Sequence, residues 1–185
     1  LAKGTAADRW DTARIVVQSL ASGQRTELMT GGSDARYVPT GHLVFGRSDT
    51  GFGAGTLFAA PFDVARMRIT GSSRPVVDGI RTSSSRSSGA FQYDVSPTGT
   101  LVFIPGSPVG PEWGKQRLLI ADRTGQANPL PIAPREYRAL RVSPDGARIA
   151  VEMASADGVN IYISDIAGAT PLERLTFAGR NRSPI

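Results

Sequence analysis

The side chains that could carry chemistry in this chain are few, and their spacing does not assemble them. There are 185 residues, with a single histidine and no cysteine. A Ser-His-Asp relay would have to run through His42. A metal centre would need further imidazoles or thiolates at fixed spacing, so no metal site is expected. His42 directly follows Pro39-Thr40-Gly41 inside a repeated phrase, which makes it a turn or strand-edge residue. Asp94, Asp122, Asp145, Asp157 and Asp165 recur near turn signals. Carboxylates with carbonyls can hold Ca²⁺, but no Asp-X-Asp-X-Asp-Gly string occurs. Turn capping is the expected role of these aspartates, and of Asp145 above all. A Gly-X-Ser-X-Gly elbow, a Gly-rich phosphate loop, a His-Arg-Asp loop and an Asp-Phe-Gly are all missing. No catalytic residue and no cofactor-binding residue is predicted for this segment.

Binding is the remaining chemistry. Lys and Arg total 21 against 16 Asp and Glu, a net charge of +5. The arginines are scattered, and the tightest group, Arg81 to Arg86, lies in a Ser-rich stretch. A nucleic-acid reader would cluster its cations among aromatics, so nucleic acid is not the expected partner. Trp10 and Trp113 sit in irregular segments rich in Gly, Pro and charge, where an aromatic either contacts a partner or packs over a sheet edge. Arg135 and Tyr137 mark a junction between a loop and the strand after it, expected to face the surface or a central channel. These four form the candidate interaction surface, for a protein or a small ligand.

Such residues need a scaffold, and the scaffold is a repeat. The phrase Arg36-Tyr-Val-Pro-Thr-Gly-His-Leu-Val-Phe45 returns as Tyr93-Asp-Val-Ser-Pro-Thr-Gly-Thr-Leu-Val-Phe103. It returns again as Leu140-Arg-Val-Ser-Pro-Asp-Gly-Ala-Arg-Ile-Ala150. Proline presets φ at the first corner, and glycine supplies the positive φ that reverses the chain. Each copy is thus strand, turn, strand, with turns at Pro39 and Gly41, at Pro97 and Gly99, and at Pro144, Asp145 and Gly146. A second phrase follows each: Thr56–Asp63, Leu118–Gly125 and Ile161–Gly168. A last short strand closes the unit at Arg74–Val77, Asn128–Ile132 and Glu173–Thr176. With 21 glycines and 13 prolines, helices have little room.

Four strands in sequential order are the blade of a β-propeller. The prediction is therefore an all-β propeller segment of four-stranded antiparallel blades. It has about three complete blades with partial ones at both ends. The boundaries read 1–33 (partial blade), 34–80 (blade), 81–89 (Ser-rich loop), 90–133 and 137–177 (blades) and 180–185 (start of another). Pro184 repeats the Ser-Pro signature 40 residues after Pro144, near the period of such a blade. A chain beginning at Leu1 and ending mid-phrase reads as a piece of a longer protein. No apolar run reaches the ~18 residues of a membrane span.

The string Val142-Ser-Pro-Asp-Gly-Ala-Arg-Ile-Ala150, with Asn160–Asp165 and Glu173–Phe177, resembles the WD40-like (TolB-type, PD40) β-propeller repeat. The first two copies depart from it, with Pro-Thr-Gly where the repeat favours Pro-Asp-Gly. Asp34–Phe45 with Gly55–Asp63 is similar to propeller regions attached to bacterial serine/threonine protein kinases. Those resemblances imply a non-catalytic interaction or ligand-sensing module of a larger bacterial protein, on the extracytoplasmic or periplasmic side. They also imply an alternative, the regulatory propeller of an enzyme. A kinase domain would then lie upstream, or an S9-type peptidase hydrolase domain downstream.

Overall fold

A computed structural model describes residues 2–3, 10, 12–48, 53–82, 88–106, 114–122, 124–178 and 181–184. The described residues form only strands, bridges and turns, and no helix among them is long and apolar enough to cross a membrane. The chain divides into two compact units, residues 1–91 with 106–111, and residues 92–105 with 112–185. None of the sheets closes into a barrel.

The first unit holds two antiparallel sheets. One is three-stranded, with β1 (Ala2–Lys3), β2 (Arg14–Gln18) and β3 (Arg25–Thr30) in sequential order. The other is five-stranded: β4 (Ser33–Val38), β5 (His42–Arg47), β6 (Ala54–Asp63), β7 (Arg68–Ile69) and β8 (Arg74–Arg81). Along β5, Leu43, Val44 and Phe45 are all buried, so this central strand is covered on both faces. Phe45 stands opposite Phe58 of β6, with the rings stacked at 5.9 Å. Ile15, Leu43, Phe45, Ala60 and Phe62 form the core, and Leu28 and Met29 pack against it.

The second unit holds two four-stranded sheets in meander order. The strands are β9 (Tyr93–Val95), β10 (Leu101–Phe103), β11 (Leu119–Ala121) and β12 (Ala127–Pro129) in one. The other contains β13 (Tyr137–Val142), β14 (Arg148–Ser155), β15 (Gly158–Asp165) and β16 (Glu173–Arg174). Their shared core includes Val102, Ile104, Leu118, Leu130, Tyr137, Leu140, Ile149 and Val151.

The repeated turns are built alike. Gly41, Gly99 and Gly146 all have positive φ (84°, 91° and 75°). Each donates its N–H to the carbonyl three residues back, on Val38, Ser96 and Ser143, at 2.8–3.0 Å. The third turn is one residue longer. Ser96 pairs with Thr100, whereas Ser143 pairs with Arg148. Asp145 fills the difference by accepting from the Ala147 N–H (3.0 Å) and from the Ser143 hydroxyl. These two donors hold its carboxyl below the usual aspartate range, the hydroxyl contributing more.

A difference in packing separates two of these glycines. A Cβ on Gly41 would meet nothing within 4 Å, but on Gly146 it would press on Thr98 Oγ1 (2.9 Å) and Thr100 Oγ1. Gly41→Ala should cost about 1 kcal/mol through its backbone alone. Gly146→Ala should cost roughly 1–3 kcal/mol more, through displacement of the neighbouring turn. Urea midpoints of the two variants measure that gap, and equal midpoints would contradict it.

Candidate functional site

Of the four expected interaction residues, Trp113 lies outside the described residues. Arg135 is exposed, and one η nitrogen donates to the Pro134 carbonyl at 3.2 Å. It borders an open depression of about 620 Å³ in the second unit, with Tyr162 and Leu172 among the lining residues.

Tyr137 is not at the surface. Its side chain is 0% exposed in the core of the second unit, and its hydroxyl donates to the Ala133 carbonyl at 2.6 Å. The aromatic ring fills the space above Leu140 and Ile149 in that core, while the hydroxyl satisfies a loop carbonyl. Burial pushes its pKa up to about 12, with Arg135 pulling weakly the other way. The unfolded chain releases this proton near pH 10. Stability linked to neutral Tyr137 is therefore complete below about pH 10. It drains away as pH rises to about 12, at roughly 1.4 kcal/mol per unit of separation. Tyr137→Phe should lose about 1 kcal/mol at pH 7 and flatten this alkaline limb, as thermal melts between pH 9 and 12 would show.

His42 is exposed beside its turn, with Nδ1 3.1 Å from the Thr40 carbonyl. Asp122, Asp145, Asp157 and Asp165 all bond locally around turns. Asp122 accepts from the Thr124 hydroxyl (2.6 Å) and from the Thr124 and Gln126 N–H groups. Asp165 accepts from the Thr170 hydroxyl at 2.9 Å. Asp94 departs from the expectation. It is buried, and its Oδ2 accepts the Val142 N–H (2.7 Å), tying β9 to β13 across 48 residues of chain. No group of three or more His, Asp or Glu side chains is placed to hold a metal among the described residues.

Trp10 is the candidate that leads to a cavity. It is half-buried in the first unit, where a Cβ on Gly89 would overlap its ring (2.6 Å). Beside it lies a cavity of about 260 Å³. Its wall comes from Gly31 and Gly32 between β3 and β4, Ser33 at the start of β4, Gly46 and Arg47 at the end of β5 with Ser48 just after it, Thr82 after β8, and Ser88, Gly89 and Phe91. Phe91 is 5% exposed and lies across Gly46 and Gly55, where any Cβ would strike its ring.

Arg47 is the cavity's cation. Its Nε donates to the Gly31 carbonyl at 2.7 Å, and its guanidinium carbon sits 4.9 Å from the Phe58 ring centroid and 5.3 Å from that of Phe45. Among the described residues no carboxylate pairs with it. The Thr82 hydroxyl is buried with no hydrogen-bond partner. The arrangement offers a fixed positive charge and hydroxyls between aromatic walls. Nothing in it resembles a nucleophile activated by a base.

Among the solved structures that share this arrangement of sheets are two described as TolB and putative TolB. The TolB crystal structure from Acinetobacter baumannii superposes with a TM-score of 0.64 and 16% identity, over 95% of this chain and 39% of that one. The chain is distantly similar in fold to TolB-type propeller proteins. A putative TolB from Agrobacterium tumefaciens gives a TM-score of 0.61, also at 16% identity, over 89% of this chain and 55% of that one. The chain thus spans between two fifths and just over half of these TolB-type structures. No protein-family model and no curated protein sequence matches it. The kinase and peptidase associations draw no support from these TolB structures.

Proposed function

We propose that this chain is part of a non-catalytic TolB-like propeller that serves a larger bacterial protein as a protein-interaction or ligand-sensing module. The observation that carries this reading is the fold likeness to TolB propellers along 95% of the chain. Sheets of sequentially joined antiparallel strands support a division into blades at 34–80, 90–133 and 137–177. The partial blade 1–33, the Ser-rich loop 81–89 and a further start at 180–185 complete that division. An extracytoplasmic location belongs to the same proposal.

Rigid sheets with exposed loops suit recognition, because the sheets hold loop side chains in fixed positions. Arg135, exposed on the rim of its depression, is the proposed contact residue of the second unit, and Trp10 and Trp113 remain contact candidates. A photo-crosslinking side chain at position 135 of the intact polypeptide tests this. The expected result is a discrete adduct that a crosslinker at exposed Leu20 does not give. Phosphoryl transfer or peptide hydrolysis by residues of this chain would overturn the reading.

A further inference from the structure

Arg47 is held in a pose that leaves part of its guanidinium without work. The Nε bond to the Gly31 carbonyl and the Phe58 ring 4.9 Å from its guanidinium carbon hold it in place. Its η nitrogens have no carboxylate partner among the described residues. A planar cation pre-oriented in this way loses little freedom on binding an anion, and its paired N–H groups match the two oxygens of a carboxylate. The wall beside it holds a second incomplete group. Thr82 is 6% exposed, and its Oγ1 is buried without a partner. Leaving a buried hydroxyl unpaired is unfavourable, and a turn about χ1 re-aims it between staggered positions.

The remaining walls set the shape of the ligand. Trp10 and Phe91 are aromatic, and their rings seat against bare backbone, Phe91 on Gly46 and Trp10 on Gly89, where a Cβ would strike them. About 260 Å³ lies at the small end of ligand cavities, so the site suits a group of amino-acid size. A single cation favours a monoanion. A phosphate dianion would call for a second cation or a nest of backbone N–H groups.

We propose that this cavity binds a small carboxylate, gripped by the Arg47 guanidinium and backed by the Thr82 hydroxyl, with Trp10 and Phe91 against its planar or apolar body. The carboxylate belongs either to a free acid or to the C-terminus of a peptide. This deepens the ligand-sensing reading and rests on it. The two fail separately, because Arg47 is remote in sequence from position 135 and the crosslinking result there does not depend on it.

Fluorine NMR titration of the intact polypeptide with 4-fluorobenzoate is the direct test, with 4-fluorobenzamide as its uncharged counterpart. The acid should bind, and the amide at least about tenfold more weakly, as loss of a charge-assisted pair implies. Arg47→Met should weaken the acid by about tenfold or more. Since Arg47 also secures Gly31, Thr82→Val is the second variant. Valine removes only the unpaired hydroxyl, so it should weaken the acid a few-fold (about two to five) without lowering the unfolding midpoint. A short peptide ending in a free phenylalanine carboxylate separates the sources: tighter binding than fluorobenzoate marks a chain end, and weaker binding a free acid. Failure of all three probes to bind, equal affinity for acid and amide, or unchanged binding in both variants would overturn the proposal.

Discussion

Phe45→Ala is expected to destabilise the first unit by about 3–5 kcal/mol, the range for deleting a fully buried aromatic ring. The Phe45 side chain is 0% exposed and packs with Ile15, Leu43, Ala60 and Phe62. It is also the cross-strand partner of Phe58, and such pairs stabilise beyond their area. The loss has three parts: transfer of the ring from core to water, the cavity it leaves, and release of Arg47. The last part makes the variant informative about the site, because the guanidinium rests on both rings. Phe45→Leu should recover more than half of the stability by refilling the volume. It should leave Arg47 supported by Phe58 alone. Urea unfolding of the three proteins, read by near-UV circular dichroism, checks the order wild type, Leu, Ala. A loss below about 1 kcal/mol for the alanine variant would show that the core around β5 is not as tightly packed as described.

The parts of this fold that were legible in the sequence are those governed by local rules. Proline and glycine at Pro39–Gly41, Pro97–Gly99 and Pro144–Gly146 restrict φ at each corner, and the hairpins form at those positions. The short apolar runs at Leu118–Ala121 and Ile161–Ser164 likewise mark strands of the second unit. What escaped was the β6–β7 hairpin after Asp63. No glycine or proline marks it. A non-glycine residue, Met67, takes a positive φ of 49°, and Asp63 holds the turn through Arg66 at 2.7 Å. The extra strand converts an expected four-stranded sheet into one of five.

The candidate site was less legible, because its members are distant in sequence. The sequence around Trp10 suits either of two roles, and the structure places its ring against Gly89. Arg47 and Thr82 carried no local signal, since a lone arginine at a strand end and a threonine after another read as ordinary strand chemistry. The signal that could have found the cavity is the recurrence of glycine at Gly32, Gly46 and Gly89, where large rings approach bare backbone. Tyr137 was misplaced for a related reason. A tyrosine at a loop-to-strand junction can turn its ring either way, and only the core contributed by β10 and β14 decides it.

Asp94 makes the same point energetically and gives the second large expected effect. Asp94 is 8% exposed and its carboxylate accepts the Val142 N–H at 2.7 Å, so it joins the first strand of one sheet to the first strand of the next. Other carboxylates also accept backbone N–H groups distant in sequence: Asp34 accepts that of Phe91 at 2.9 Å in the first unit, and Glu152 that of Ser183 at 2.7 Å in the second. Asp94→Ala strands a backbone donor without its acceptor, and the cost of an unmet buried donor with loss of a charged bond is about 2–3 kcal/mol. Asp94→Asn keeps an acceptor oxygen but loses the charge, so about 1 kcal/mol is expected. Asp145→Ala at an exposed turn should cost less than Asp94→Ala, although a turn signal in the sequence ranked Asp145 first. Chemical denaturation of the three variants, with amide exchange at Val142 as the local reporter, decides between a clamp and a cap. Fast exchange at Val142 in Asp94→Ala, with protection retained in Asp145→Ala, is the expected pattern. Unchanged protection at Val142 in Asp94→Ala would show that the strands are held together without this carboxylate.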